Sequence, residues 1–205
     1  MKVADYEVIF ITSKREYKQK NPEEEFENNL IKLAKLVGKA KKIKRVGWQK
    51  KAEISNGETI AEHMYRLAVL SMIISDLRHL DTEKILRMSL LHDLGEVIIG
   101  DLTPDEKNKI GILDTLSLEE NGLKQVFNEI PKKLRDYYIN LWKEINLQET
   151  DEARLMKSLD KFEMAIQALE YIDEGYDGTK LEHFIDSAKD DLEDKQLLRI
   201  LKNLK

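Results

Sequence analysis

The chain has 205 residues, 41% of them hydrophobic, with 39 acidic against 34 basic side chains and a net charge of −5. That is enough for one sizeable core and gives no general attraction to nucleic acid or to anionic membranes. There is no cysteine, which excludes disulfides, thiolate metal sites, iron–sulfur clusters and a cysteine nucleophile, so any metal ligands must be histidines and carboxylates.

No apolar run reaches the length of a spanning helix, and the N-terminus lacks a charged region followed by an apolar signal core. A cytoplasmic protein with neither membrane nor nucleic acid as partner is expected. Only nine Gly and three Pro occur, which favours long helices over a turn-rich β fold. Residues 1 to 22, with YEVIFIT, are expected to form an arm or short strand, and 23 to 205 a single domain. Pro22 followed by three Glu reads as a helix start. Phe26, Leu30, Leu33, Val37 and Ile43 then recur at helical spacing.

RVGWQKKAEISNG, 45 to 57, reads as a loop. Thr59 and Glu62 form a capping box for a helix from Ile60 to about Asp76. The next helix, capped by Asp81 or Thr82, is predicted to run unbroken to near Gly100. LTPDEKNKIGILDT reads as a polar connector. Three amphipathic segments follow: 117 to 130, a helix opening at Pro131, and a long one ending at Gly175. Residues 181 to 204 look helical in two pieces. The expectation is an all-α, single-domain fold.

The stretch LLHDLGEVIIGDLTP, 90 to 104, has an apolar stripe interrupted by His92, Asp93 and Glu96. Each unpaired buried ion would cost several kcal/mol or so, so something must neutralise them. His63 shares a face with Leu67, Leu70 and Ile74 and points inward. Asp160 has Met156 and Met164 one turn either side and lies beside the core. His92 and Asp93 are about 100° apart around a helix. Three helices can therefore offer His63, the His92 and Asp93 pair, and Asp160 to one divalent metal, with Mn, Co, Fe, Ni or Zn all compatible with imidazole and carboxylate. A metal so held lowers the pKa of bound water and polarises a phosphoryl oxygen.

Glu96 shares the side of His92 and Asp93 one turn along and can reach water or a leaving group. Asp101 follows Gly100, where the backbone can turn a second carboxylate over the site. Gly95 within the helix suggests close approach of another backbone or of substrate. Tyr65, Tyr137 and Tyr138 read as packing residues, and His79 and His183 as surface residues.

The pattern His63, His92 with Asp93, and Asp160 resembles the signature of the HD-domain metal-dependent phosphohydrolases. RVGW at 45, ETIAEHMYRLAV at 58, LLHDLGEVIIGDLTP at 90 and LDKFEMAIQALEY at 159 are similar to the 5′-deoxynucleotidase branch, over about residues 28 to 200. The resemblance implies a helical HD-domain fold with the metal between its central helices, one metal on the four ligands, and Glu96 assisting proton transfer. It also implies that Arg45, Trp48 and Asp101 contact nucleotide or phosphate, and that a homodimer removes the 5′-phosphate of deoxynucleoside monophosphates. A nucleotide triphosphohydrolase of the same superfamily, or a metal-stapled regulatory module without catalysis, is the alternative. The chain departs from the family pattern by a longer Trp48 to Glu62 loop and by the lack of a basic and acidic run after Pro104, differences that bear on substrate choice.

Overall fold

Residues 22–204 are described by the computed structural model, with side chains from Glu27 onward, so the expected N-terminal arm and Phe26 of the first apolar stripe lie outside what is described. In chain order the helices are α1 (Pro22–Val37), a 3-10 turn (Gly38–Lys41), α2 (Val46–Ala52), α3 (Ile60–Leu77), α4 (Thr82–Leu91) and α5 (Glu96–Ile99). They continue as α6 (Pro104–Ile110), α7 (Ile112–Val126), α8 (Lys132–Leu147), α9 (Asp151–Asp173), α10 (Gly178–Asp191) and α11 (Lys195–Asn203). No strand forms among the described residues; a single antiparallel bridge joins Lys44 to Thr59.

The 23-residue α9 is the central rod, packed by α3, α4, α8, α10 and α11. Its Met156, Leu159 and Ala165 meet Leu67 of α3 and Ile85 and Met88 of α4 in one apolar cluster, all essentially inaccessible. Each large side chain so buried stabilises the fold by roughly 1.5–3 kcal/mol. A smaller cluster, with Trp48 of α2, Tyr171 of α9 and Phe184 of α10, attaches α2 to this rod.

Three expectations are corrected. The helix predicted to run unbroken to Gly100 stops at Leu91 and resumes at Glu96. Between them the backbone tightens to i→i−3 bonds, from Leu94 N to the Leu91 carbonyl, Glu96 N to Asp93 and Val97 N to Leu94. Apolar periodicity survives such a tightening, so the break was invisible in the pattern. The His92 carbonyl accepts from the indole Nε1 of Trp142 at 3.3 Å, which anchors the turn to α8.

The 45 to 57 loop contains α2. Its N-terminus is capped from a distance, by Asp101 accepting from the Val46 amide at 2.5 Å, and no local pattern reveals a cap of that kind. The polar connector contains α6, started by a capping box of Thr103 and Glu106 with Pro104 in its first turn. Tyr65 is a further correction: it is 72% exposed rather than packed.

Gly95 bears out its expected close approach. A Cβ there would lie 2.8 Å from the Glu119 carbonyl oxygen, and one on Gly122 would lie 2.7 Å from the Gly95 oxygen. The two glycines let α7 run backbone against backbone with the start of α5. That contact sets the position of Glu96.

Candidate metal centre and cleft

His63 enters the interior from the first turn of α3, whose start is held by the reciprocal Thr59 and Glu62 capping bonds. Its ring is wholly buried. Nδ1 faces Glu163 Oε2 at 2.6 Å, and Glu163 is held in turn by Arg66 Nε at 2.8 Å. His92 Nδ1 faces the Ser89 carbonyl at 2.8 Å. A carbonyl only accepts, so this nitrogen carries the proton and the Nε2 of the neutral ring bears a lone pair. The Glu163 carboxylate imposes the same tautomer on neutral His63.

Both Nε2 atoms thus turn their lone pairs to a common point, 3.1 Å from one another. His63 Nε2 lies 3.1 Å from Asp160 Oδ1 and 3.8 Å from Asp93 Oδ2. His92 Nε2 lies 3.1 Å from Asp93 Oδ2 and 4.0 Å from Asp160 Oδ1. His63 of α3, His92 after α4 and Asp160 of α9 are therefore brought into one mutual cluster, and Asp93 stands at its edge beside the two imidazoles.

With both rings neutral, these four groups turn acceptors toward one another and repel unless a proton or a metal cation sits among them. The proton equilibria say the same. Although burial and Arg45 work against it, Asp160 and Glu163 raise the His63 pKa to about 9. Asp93 and Asp160 are half-buried, and their partial desolvation opposes ionisation, yet the facing histidines hold both well below the usual carboxylate range. The donor set fits a divalent cation. Glu58, His63 and Glu163 also lie close together, but that triad is already satisfied by the indole of Trp48 on Glu58 and by Arg66 on Glu163.

A cleft of about 410 Å³ opens onto this centre. Asp93, Glu96, Asp101 and Asp160 line it together with Arg45, Trp48, Lys107, Met164 and Phe184. Glu96 is buried, and its Oε2 has no hydrogen-bond partner among the described residues. Burial first, then the charges of Asp93 and Asp101, push its carboxyl well above the usual range. Burial likewise raises Asp101, the carboxylate that caps α2.

Arg45 is brought in by the bridge beside it, with its amide bonded to the Glu58 carbonyl. Its guanidinium lies 3.4 Å from Asp93 and 3.8 Å from Glu58. Trp48 is only 1% exposed. It packs on Tyr171 and Phe184 and donates to Glu58 at 3.1 Å, so its place is a wall of the cleft joined to the core. His79 and His183 are exposed, although His183 borders the cleft mouth.

Sequence reading missed Glu163, Arg66 and Glu58. The first two had a signal: Glu163 follows Asp160 and Arg66 follows His63 by three residues, which puts each beside its ligand on a helix. Glu58 had none, because the bridge of Lys44 to Thr59 is what carries it inward.

An HD-domain family model matches residues 37–199. The chain is 33% identical over 176 residues to the 5′-deoxynucleotidase HDDC2 of Homo sapiens, covering 86% of this chain and 84% of that one. It is 34% identical over 172 residues to the protein of the same name from Dictyostelium discoideum, covering 79% and 89%. Among solved structures, a conserved hypothetical protein from Pyrococcus furiosus superposes with a TM-score of 0.66 at 33% identity, over 84% of this chain and 96% of that one.

Proposed function

The chain belongs to the HD-domain family, and from that premise we propose that it is a metal-dependent 5′-deoxynucleotidase, releasing phosphate from deoxynucleoside 5′-monophosphates. The observation that carries this reading is the clustering of His63, His92 and Asp160, with Asp93 beside the two imidazoles, in a cleft that also holds a buried Glu96 oxygen without a partner among the described residues.

His63, His92, Asp93 and Asp160 would hold the divalent ion, which is Mn, Co, Fe, Ni or Zn by ligand type. When bound, it supplies Lewis-acid polarisation of the phosphate and lowers the pKa of attacking water. Glu163 and the Ser89 carbonyl keep the two imidazoles in the ligating tautomer.

Glu96 moves the proton: its free oxygen has no internal bond to break before it hydrogen-bonds water or the leaving 5′-oxygen. Arg45 contributes the forked cation for the phosphate, and Asp101 holds the α2 terminus that presents it. Trp48, Phe184 and Met164 form the apolar wall for the nucleoside, and their packing excludes water from that side. A cytoplasmic homodimer completes the proposal, with sedimentation as its check.

The test is phosphate release from deoxynucleoside monophosphates, ribonucleotides and triphosphates, before and after chelation. We expect monophosphate turnover that chelation abolishes. In Glu96→Gln, turnover falls about 10²- to 10⁴-fold with metal retained. Release of triphosphate would instead assign a triphosphohydrolase, and a full metal complement with no turnover on any substrate would leave a structural staple.

A further inference from the structure

Among the described residues four lysines line the cleft, and three are already paired. Lys51 lies 3.2 Å from Asp105, Lys107 2.8 Å from Glu119, and Lys161 2.8 Å from Asp191. Arg45 faces Asp93 and Glu58. Lys157 differs. Among the described residues it makes no hydrogen bond and no ion pair, and it is half-buried rather than splayed into solvent.

Its position is set by the helix. Lys157, Asp160, Lys161 and Met164 sit at i, i+3, i+4 and i+7 of α9 and form one stripe of the cleft wall. Lys157 therefore stands one turn from the ligand Asp160, roughly 4.5 Å along the axis. Its charge is felt at Asp160.

A half-buried ammonium that feels Asp160 only at a distance and makes no direct ion pair is poorly compensated for its lost hydration, unless an anion completes it. The cleft, with its four carboxylates, offers a phosphate dianion few other free cations. A compact ammonium on a flexible stem can follow such a group, whereas the guanidinium of Arg45 is fixed by two carboxylates.

Resting on the phosphomonoesterase reading above, we propose that Lys157 is a substrate-phosphate binding residue, the free cation of the cleft wall that pairs with the incoming phosphate. It acts beside the metal ligands and is not one of them.

The experiment compares metal-loaded wild type, Lys157→Met and Lys157→Arg. Calorimetric binding of inorganic phosphate and of deoxyadenosine is measured, metal content is determined by mass spectrometry, and kcat/KM is measured on deoxyadenosine monophosphate. Lys157→Met should bind inorganic phosphate about tenfold more weakly, with full metal content and unchanged deoxyadenosine binding, and Lys157→Arg should recover most of the loss.

Phosphate binding within twofold of wild type in Lys157→Met would overturn the proposal, as would a wild type that binds no phosphate. Loss of metal together with phosphate in Lys157→Met, not regained in Lys157→Arg, would also overturn it and assign the lysine to supporting Asp160. If wild type and Lys157→Met differ as expected while no nucleotide is turned over, the lysine assignment holds and the nucleotidase reading falls.

Discussion

Glu163 illustrates how a residue behind a proposed ligand can orient it. It is wholly buried, accepts from His63, and is itself held by Arg66, which also reaches Gln167 and Glu170. Removing it frees the ring to rotate and to change tautomer. Glu163→Ala should therefore weaken metal binding by about 10- to 100-fold, read by competition with a chelating dye. Glu163→Gln keeps a hydrogen-bond acceptor without the charge, so it should fall between Ala and wild type. The clustering groups themselves are legible in the sequence because His63 and Asp160 interrupt apolar stripes, and an ionisable group in a buried face demands a partner. Glu163 was less visible, since its burial depends on Arg66 and His63 arriving from another helix.

At the scale of elements, the contact of α5 with α7 decides where Glu96, the proposed proton-transfer group, sits. Gly122→Ala would gain roughly 1 kcal/mol in helix propensity. The added Cβ, however, would press on the Gly95 carbonyl at 2.7 Å, a backbone atom with nowhere to swing. The clash should prevail, with a net loss of about 1–3 kcal/mol in urea unfolding. Activity should fall further than stability does, because α5 carries Glu96.

The caps show which element ends could be read. Thr59 with Glu62 is a local pattern and was found; Thr103 with Glu106 is the same pattern, hidden by the polar run around it. The cap on α2 comes from Asp101, 55 residues away, and no window of sequence contains it. The turn from His92 to Gly95 has the sequence pattern of a helix because a tightened turn keeps the apolar order while changing the backbone bonds.

Across the whole molecule, the proposed metal would be coupled to the fold. Four acceptors from three segments repel one another unless a cation joins them, so chelation should lower stability as well as activity. At a metal concentration of 100 times its Kd the expected difference is about 2.7 kcal/mol. For a chain of this length that corresponds to roughly 5–10 °C in Tm, measured by calorimetry with and without chelator.

A second coupling ties the C-terminal helix to the bundle. Asp194 caps α11 and pairs with Arg78 at the end of α3. Burial opposes its ionisation, but Arg78 and the α11 amides lower its pKa. A carboxyl lowered in the folded state contributes fully above its unfolded value, about 3.9, and loses that contribution as the pH falls through the folded value. Asp194→Asn retains a good cap, so it isolates the charge. It should cost about 1 kcal/mol at pH 7, and the gap from wild type should close below about pH 4, read from unfolding curves at each pH.

The sequence by itself determined the helical class and which ionisable groups, His63, His92, Asp93, Glu96 and Asp160, interrupt the apolar faces, because apolar periodicity and buried ionisable groups are local physical constraints. Only the tertiary structure decided that Glu163 and Ser89 orient the rings, that Trp48 belongs to a wall, that α2 and α6 exist, and that Lys157 alone among the cleft lysines of the described residues is unpaired. Those facts depend on which distant groups meet, and a meeting is settled by the packing of helices against one another.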